Sequence, residues 1–114
     1  MIAIIFEVTP HPDQKQSYLD IAASLRPQLE KIDGFISIER FQSLTDERKI
    51  LSLSFFRDEQ AVADWRALQS HRNAQTSGRK NIFENYRIRV ASVLRDYGLN
   101  ERDEAPEDSR QVHD

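Results

Sequence analysis

The chain has 114 residues, with 16 Lys and Arg against 19 Asp and Glu and a formal net charge of -3. That length fits one domain with one core. Without cysteine there is no disulfide framework, thiol nucleophile or thiolate metal site, and no apolar run approaches a membrane span, so a soluble cytoplasmic protein is expected.

The opening Ile2-Ala3-Ile4-Ile5-Phe6-Glu7-Val8 is apolar at nearly every position and predicts a strand covered on both faces. Pro10 and Pro12 end it, because neither can donate to a ladder. Asp13 and Gln16 have the form of a capping box, and Tyr18, Ile21, Ala22, Leu25, Leu29 and Ile32 follow at helical spacing, which predicts a helix over 13–32. Pro27 predicts a kink or break near Arg26, and Gly34 stands where the chain leaving a helix commonly turns left-handed.

Two strands are predicted over 35–42 and 49–56, joined by a polar segment short enough for an antiparallel hairpin. Leu51, Leu53 and Phe55 define one face of the second, and Ile50, Ser52, Ser54 and Phe56 the other. Asp58 is placed to cap a second helix with the stripe Ala61, Val62, Trp65 and Leu68, loosening over 69–78. The last strand is predicted over 84–94, with Tyr86, Ile88, Val90 and Leu94 opposite Arg87, Arg89, Ala91, Val93 and Arg95.

Strand, helix, strand, strand, helix, strand is the order of an α+β ferredoxin-like plait, a four-stranded antiparallel sheet with two helices on one face. Two helices cover one sheet face only, and the first and third strands are apolar on both, so the open face predicts a homodimer packed sheet against sheet. Residues 1–97 form the expected domain. Residues 98–114 read as an acidic disordered tail: positions 100–114 hold six acids and two bases, leaving 14 bases and 13 acids before them. The folded part is thus close to neutral, and residues 66–95 hold seven bases against the single acid Glu84. A solvated face is the default for such a run, and the alternative is that some of these cations hold an anionic substrate group.

From Ser54-Phe55-Phe56-Arg57-Asp58 through Trp65, His71-Arg72-Asn73-Ala74-Gln75, Gly78-Arg79, Phe83 and Tyr86-Arg87-Ile88-Arg89-Val90, the chain resembles the antibiotic biosynthesis monooxygenase family. Gly34-Phe35 after the first helix is also typical of it. The resemblance implies a dimeric α/β barrel with one pocket per subunit between helices and sheet. The family includes cofactor-independent oxygenases of quinols and polycyclic aromatics and haem-degrading monooxygenases. It implies no fixed cofactor, with haem a substrate of one branch. That branch pairs an Asn on the first strand with a helix-two Trp and a later iron-ligating His. Here Trp65 matches, but positions 1–10 hold no Asn and Gln75 stands ten beyond Trp65. His71 stands six beyond, about 120° around a regular helix.

The candidate catalytic residue is His71, whose ordinary pKa near ~6.5 suits proton acceptance from a phenolic substrate; an iron ligand and a plain polar residue at a helix end are its other readings. Candidate substrate-binding residues are Trp65, Arg72, Phe56 and Ser54. Trp65 serves equally as core or as a pocket wall stacking on a flat ligand. Arg72 would hold an anionic group, and Ser54 would hydrogen-bond a ligand or simply leave room for packing. No metal-binding motif, phosphate loop, dinucleotide fingerprint or Ser-His-Asp order is present. The glycine-free third strand and the acidic tail argue against nucleic acid. The sequence therefore points to a small-molecule monooxygenase acting on an aromatic, quinol-like or haem-like substrate. A non-catalytic ligand-binding or stress-response dimer of the same fold is the alternative.

Overall fold

A computed structural model describes residues 1–75 and 82–113, with the backbone alone for 70–75 and 112–113. The elements are β1 (Ile2–Pro10), α1 (Lys15–Leu29), β2 (Phe35–Gln42), β3 (Ile50–Phe56), α2 (Glu59–Gln75), β4 (Phe83–Ser92) and α3 (Glu107–His113). The strands form one antiparallel sheet in the order β2-β3-β1-β4, the expected plait.

Register fixes the two faces. Ile2, Ile4, Phe6 and Val8 of β1 lie opposite Phe56, Ser54, Ser52 and Ile50 of β3, and opposite Ser92, Val90, Ile88 and Tyr86 of β4. Leu29 of α1 and Ala61 and Val62 of α2 join Ile4, Ile38 and Phe56 in one buried cluster, so both helices lie on that face. Tyr18 of α1 packs with Val8 and Ile50 in a second cluster nearer the other end of the strands. The opposite face carries Ala3, Ile5, Leu51, Leu53 and Phe55, the alternation read from the sequence.

Helix boundaries depart from expectation where local hydrogen bonds compete. The Asp13–Gln16 capping box does not form: the Gln14 amide closes a turn onto the His11 carbonyl at 2.8 Å, α1 begins at Lys15, and Gln14 makes no side-chain cap. Gln16 instead donates to Asp20 Oδ1 at 2.9 Å, one helical turn on. Pro27 does not break α1 near Arg26; it falls in the last turn, and the helix closes at Leu29 with the Glu30 amide on the Arg26 carbonyl.

Gly34 has φ +92°, and a Cβ there would lie 2.9 Å from that of Ala61. The position combines left-handed backbone with close approach to α2, and glycine alone meets both demands. Asp58 caps α2 as expected, its Oδ1 accepting the Ala61 amide at 3.0 Å. The helix continues to Gln75 rather than loosening from residue 69, while positions 76–78 of that expectation lie outside the described residues.

The C-terminal segment also differs from the disordered tail expected. Arg102 stacks over Tyr97 with its Cζ 5.4 Å from the ring centroid, and donates to the Gly98 carbonyl at 3.0 Å and Ser109 Oγ at 2.8 Å. Ala105 is buried, and α3 follows. One guanidinium with several donors organises a stretch too poor in apolar residues to collapse unaided.

Candidate functional site

The helix-facing side of the sheet is closed over β3 and open over β4. Phe56 is 0% exposed, Ser54 2% and Ser52 6%, whereas Tyr86, Ile88 and Val90, facing the same way two strands along, are 57%, 43% and 54% exposed. Strand β1 lies between, with Ile4 buried and Phe6 half-buried. The result is a strip of apolar side chains along β4 whose inner border is Phe6.

Aromatic rings close one end of that strip. The Phe6 ring centroid lies 5.9 Å from that of Phe83 and 5.8 Å from that of Tyr86, and Phe83 is 5.9 Å from Tyr86. Phe83 also meets Tyr18 of α1 edge-on at 5.8 Å. Edge-to-face and tilted pairs at this spacing fix ring orientation, giving a firm wall rather than a collapsed patch. The register of β1 on β4 shifts between Thr9 and Pro10, where Phe83 pairs with Pro10.

The residues singled out from the sequence separate into two groups. Ser54, Phe56 and Trp65 are brought together: Ser54 lies in register between Ile4 and Ile38, and the Trp65 ring is 6.3 Å from that of Phe56. Trp65 is half-buried against the first cluster, so its indole has both a core contact and an accessible part. Phe56 has no accessible surface and stands behind Trp65 instead of lining an open pocket, and Ser54 is covered beneath the helices. His71 and Arg72 lie on the α2 backbone, but their side chains are outside the described residues.

Phe6, Tyr18 and Phe83 were not among the candidate site residues. The alternation of Tyr86, Ile88 and Val90 was legible, but nothing in the pattern told a covered strand face from an uncovered one.

Cations and one backbone amide favour the ionised form of the perturbed carboxylates. On the face away from the helices, hydrogen bonds from Lys49 and Arg89 hold Glu7 below the usual carboxylate range. Beside α2, Arg57 bridges Asp33 at 3.2 and 3.1 Å and Asp58 at 3.1 Å, holding Asp33 low and raising its own pKa. Asp58 is held low first by the Ala61 amide it caps and then by Arg57. These groups fasten the Gly34 turn to the start of α2. Among the described residues no three His, Asp or Glu side chains gather as metal ligands. The haem-degrading arrangement is not reproduced either, with β1 lacking Asn and Gln at position 75. The strip is chemically suited to an apolar or flat small molecule, with the phenols of Tyr18 and Tyr86 the polar atoms at its end.

Comparison with known proteins agrees with this architecture. The antibiotic biosynthesis monooxygenase family model matches residues 1–77. A jasmonate monooxygenase of Pyricularia oryzae is 48% identical over 101 residues, 89% of this chain and 47% of that protein, so the chain spans about half the length of that relative. Among solved structures, Rv0793 from Mycobacterium tuberculosis superposes with a TM-score of 0.72 at 16% identity, over 85% of this chain and 98% of that one. A variant of SnoaB, a cofactor-independent oxygenase from Streptomyces nogalater, gives 0.66 at 10% identity, over 83% and 94%.

Proposed function

Because the chain belongs to the antibiotic biosynthesis monooxygenase family, we propose that it is a monooxygenase of a small, largely apolar molecule bound against the β4 strip. The observation that carries this reading is the 48% identity to a jasmonate monooxygenase across nearly the whole chain. The uncovered Tyr86, Ile88 and Val90 beside Phe6 supply an apolar surface for such a ligand. Jasmonate is a cyclopentanone carboxylate with an alkenyl chain, and it shifts the favoured substrate from a quinol or haem toward a small oxygenated carboxylic acid.

Insertion of one atom of O2 into a C–H bond leaves the other to become water, which takes two electrons and two protons. A hydroquinone or anthrone supplies them from its own oxidation. A carboxylic acid of the jasmonate kind needs a two-electron donor such as reduced nicotinamide or flavin. In this reading Trp65 and the Phe6–Phe83–Tyr86 wall hold the substrate and exclude water, and His71 on α2 is the proposed proton acceptor.

Incubation with jasmonate, the donor and 18O2 tests this: one labelled oxygen in the product is expected. Absence of labelled product with jasmonate and with a quinol panel would favour the non-catalytic ligand-binding alternative.

The proposed assembly is a homodimer joined through the open face, where Ile5, Leu51, Leu53 and Phe55 lie together opposite the helices. Light scattering at micromolar concentration is expected to give twice the chain mass, and a monomer mass would refute the dimer.

A further inference from the structure

The sheet holds two buried hydroxyls that the other described residues leave unpaired. Ser52 and Ser54 are 6% and 2% exposed, lie on the helix-facing side of β3, and have no side-chain hydrogen-bond partner among the described residues. Burying a hydroxyl unpaired is destabilising, and alanine or valine would fill either position without that cost. Two such residues side by side on a central strand call for a polar partner from outside the fold.

A cation stands next to them. Arg40 of β2 is the register partner of Ser52, and side chains so placed have Cβ atoms about 5 Å apart. Arg40 is half-buried and makes no ion pair among the described residues. Its guanidinium lies 5.9 Å from the Tyr18 ring centroid, and Nε donates to the Tyr18 hydroxyl in a long bond of 3.4 Å. That contact orients the group and, among the described residues, leaves its other donors without a hydrogen bond. The acid beside it in sequence, Glu39, faces the opposite side of the sheet.

The row continues in one direction. Across the sheet Arg40 is followed by Ser52, then Phe6, then Ile88: cation, hydroxyl, aromatic ring and exposed aliphatic chain. We propose that Arg40 and Ser52 form the anchor for a carboxylate of the substrate, whose apolar body then lies along Phe6 and Ile88, with Ser54 beside the anchor as a further donor. Guanidinium and hydroxyl donors match the two oxygens of a carboxylate, and the charge-assisted bond strengthens in a site shielded from water. Arg40 and Ser52 act as specificity determinants. This inference rests on the monooxygenase reading for its substrate class, but its test is a binding measurement and does not depend on turnover.

Calorimetric titration of the full chain with two acid and ester pairs, jasmonic acid with methyl jasmonate and octanoate with methyl octanoate, tests the anchor. Each acid is expected to bind about tenfold or more tighter than its ester, since esterification removes the charge. Arg40→Gln brings acid and ester within about twofold while leaving the ester unchanged. Ser52→Ala weakens the acid by about three- to tenfold, leaves the ester unchanged and does not lower the Tm, because the orphan hydroxyl is gone. Equal binding of acid and ester by the unaltered protein overturns the proposal, as does a parallel loss of both in either variant or the failure of all four probes to bind. Acid-selective binding that the variants abolish, without labelled product under 18O2, sustains the anchor and refutes only the monooxygenase reading.

Discussion

Strands β3 and β4 turn the same kind of alternating face toward the helices and meet different fates. On β3 the helix-facing row ends in Phe56 beneath Leu29, Ala61 and Val62, and is closed to solvent. On β4 the corresponding row of Tyr86, Ile88 and Val90 is left about half exposed. Apolar alternation records which side of a strand is kept from water but not what keeps it so. The Phe56 end of the first row became core, and the second row a surface available to a ligand.

Substitutions along the two rows should separate these roles. The largest loss of stability is expected for Phe56→Ala, about 3–5 kcal/mol in chemical denaturation, since a fully buried ring in contact with Phe35 and Trp65 leaves a cavity. Gly34→Ala should follow at about 1–3 kcal/mol, from left-handed backbone compounded by the approach to Ala61. Ile88→Glu should change stability by about 0.5 kcal/mol or less, because the side chain is half exposed. It should nonetheless weaken jasmonate binding about tenfold or more by setting a charge in the apolar strip. An Ile88→Glu protein that unfolded like Phe56→Ala would erase the distinction between the rows.

The smallest effect is one of pH. Asp33 and Asp58 have folded pKa values depressed below their ordinary 3.8, so the stability they contribute is full above that value and is lost as pH falls through the lower folded values. Asp58→Asn keeps a capping oxygen but removes the charge. Its Tm should therefore vary less with pH below about 4 than that of the unaltered protein. A parallel pair of Tm profiles would show that the Asp58 charge contributes no pH-dependent stability, through either the Ala61 amide or Arg57.

Much of the fold was legible because it depends on local periodicity. The bounds of β2, the cap at Asp58 and the left-handed turn at Gly34 each follow from a residue's own backbone preference or short-range donors. The failures fall where two local devices compete. At the start of α1 a turn onto His11 displaced the Asp13 cap, and in the C-terminal segment the many donors of Arg102 ordered a stretch that composition alone reads as disordered. The candidate site was legible only in part. Trp65 and Ser54 stand out in sequence as a large aromatic and a hydroxyl in apolar surroundings, whereas the Phe6–Phe83–Tyr18 contacts join segments far apart in the chain.

The sequence by itself determined the order of the six elements of the plait, the two-faced strands and the family to which the chain belongs. These are written in residue spacing, and spacing survives translation into local structure. Only the tertiary structure decided which face of which strand is sealed, which hydroxyls are buried, and that Arg40 stands beside Ser52. Those outcomes depend on where the helices lie over the sheet and on which strands are neighbours, and no local preference encodes either.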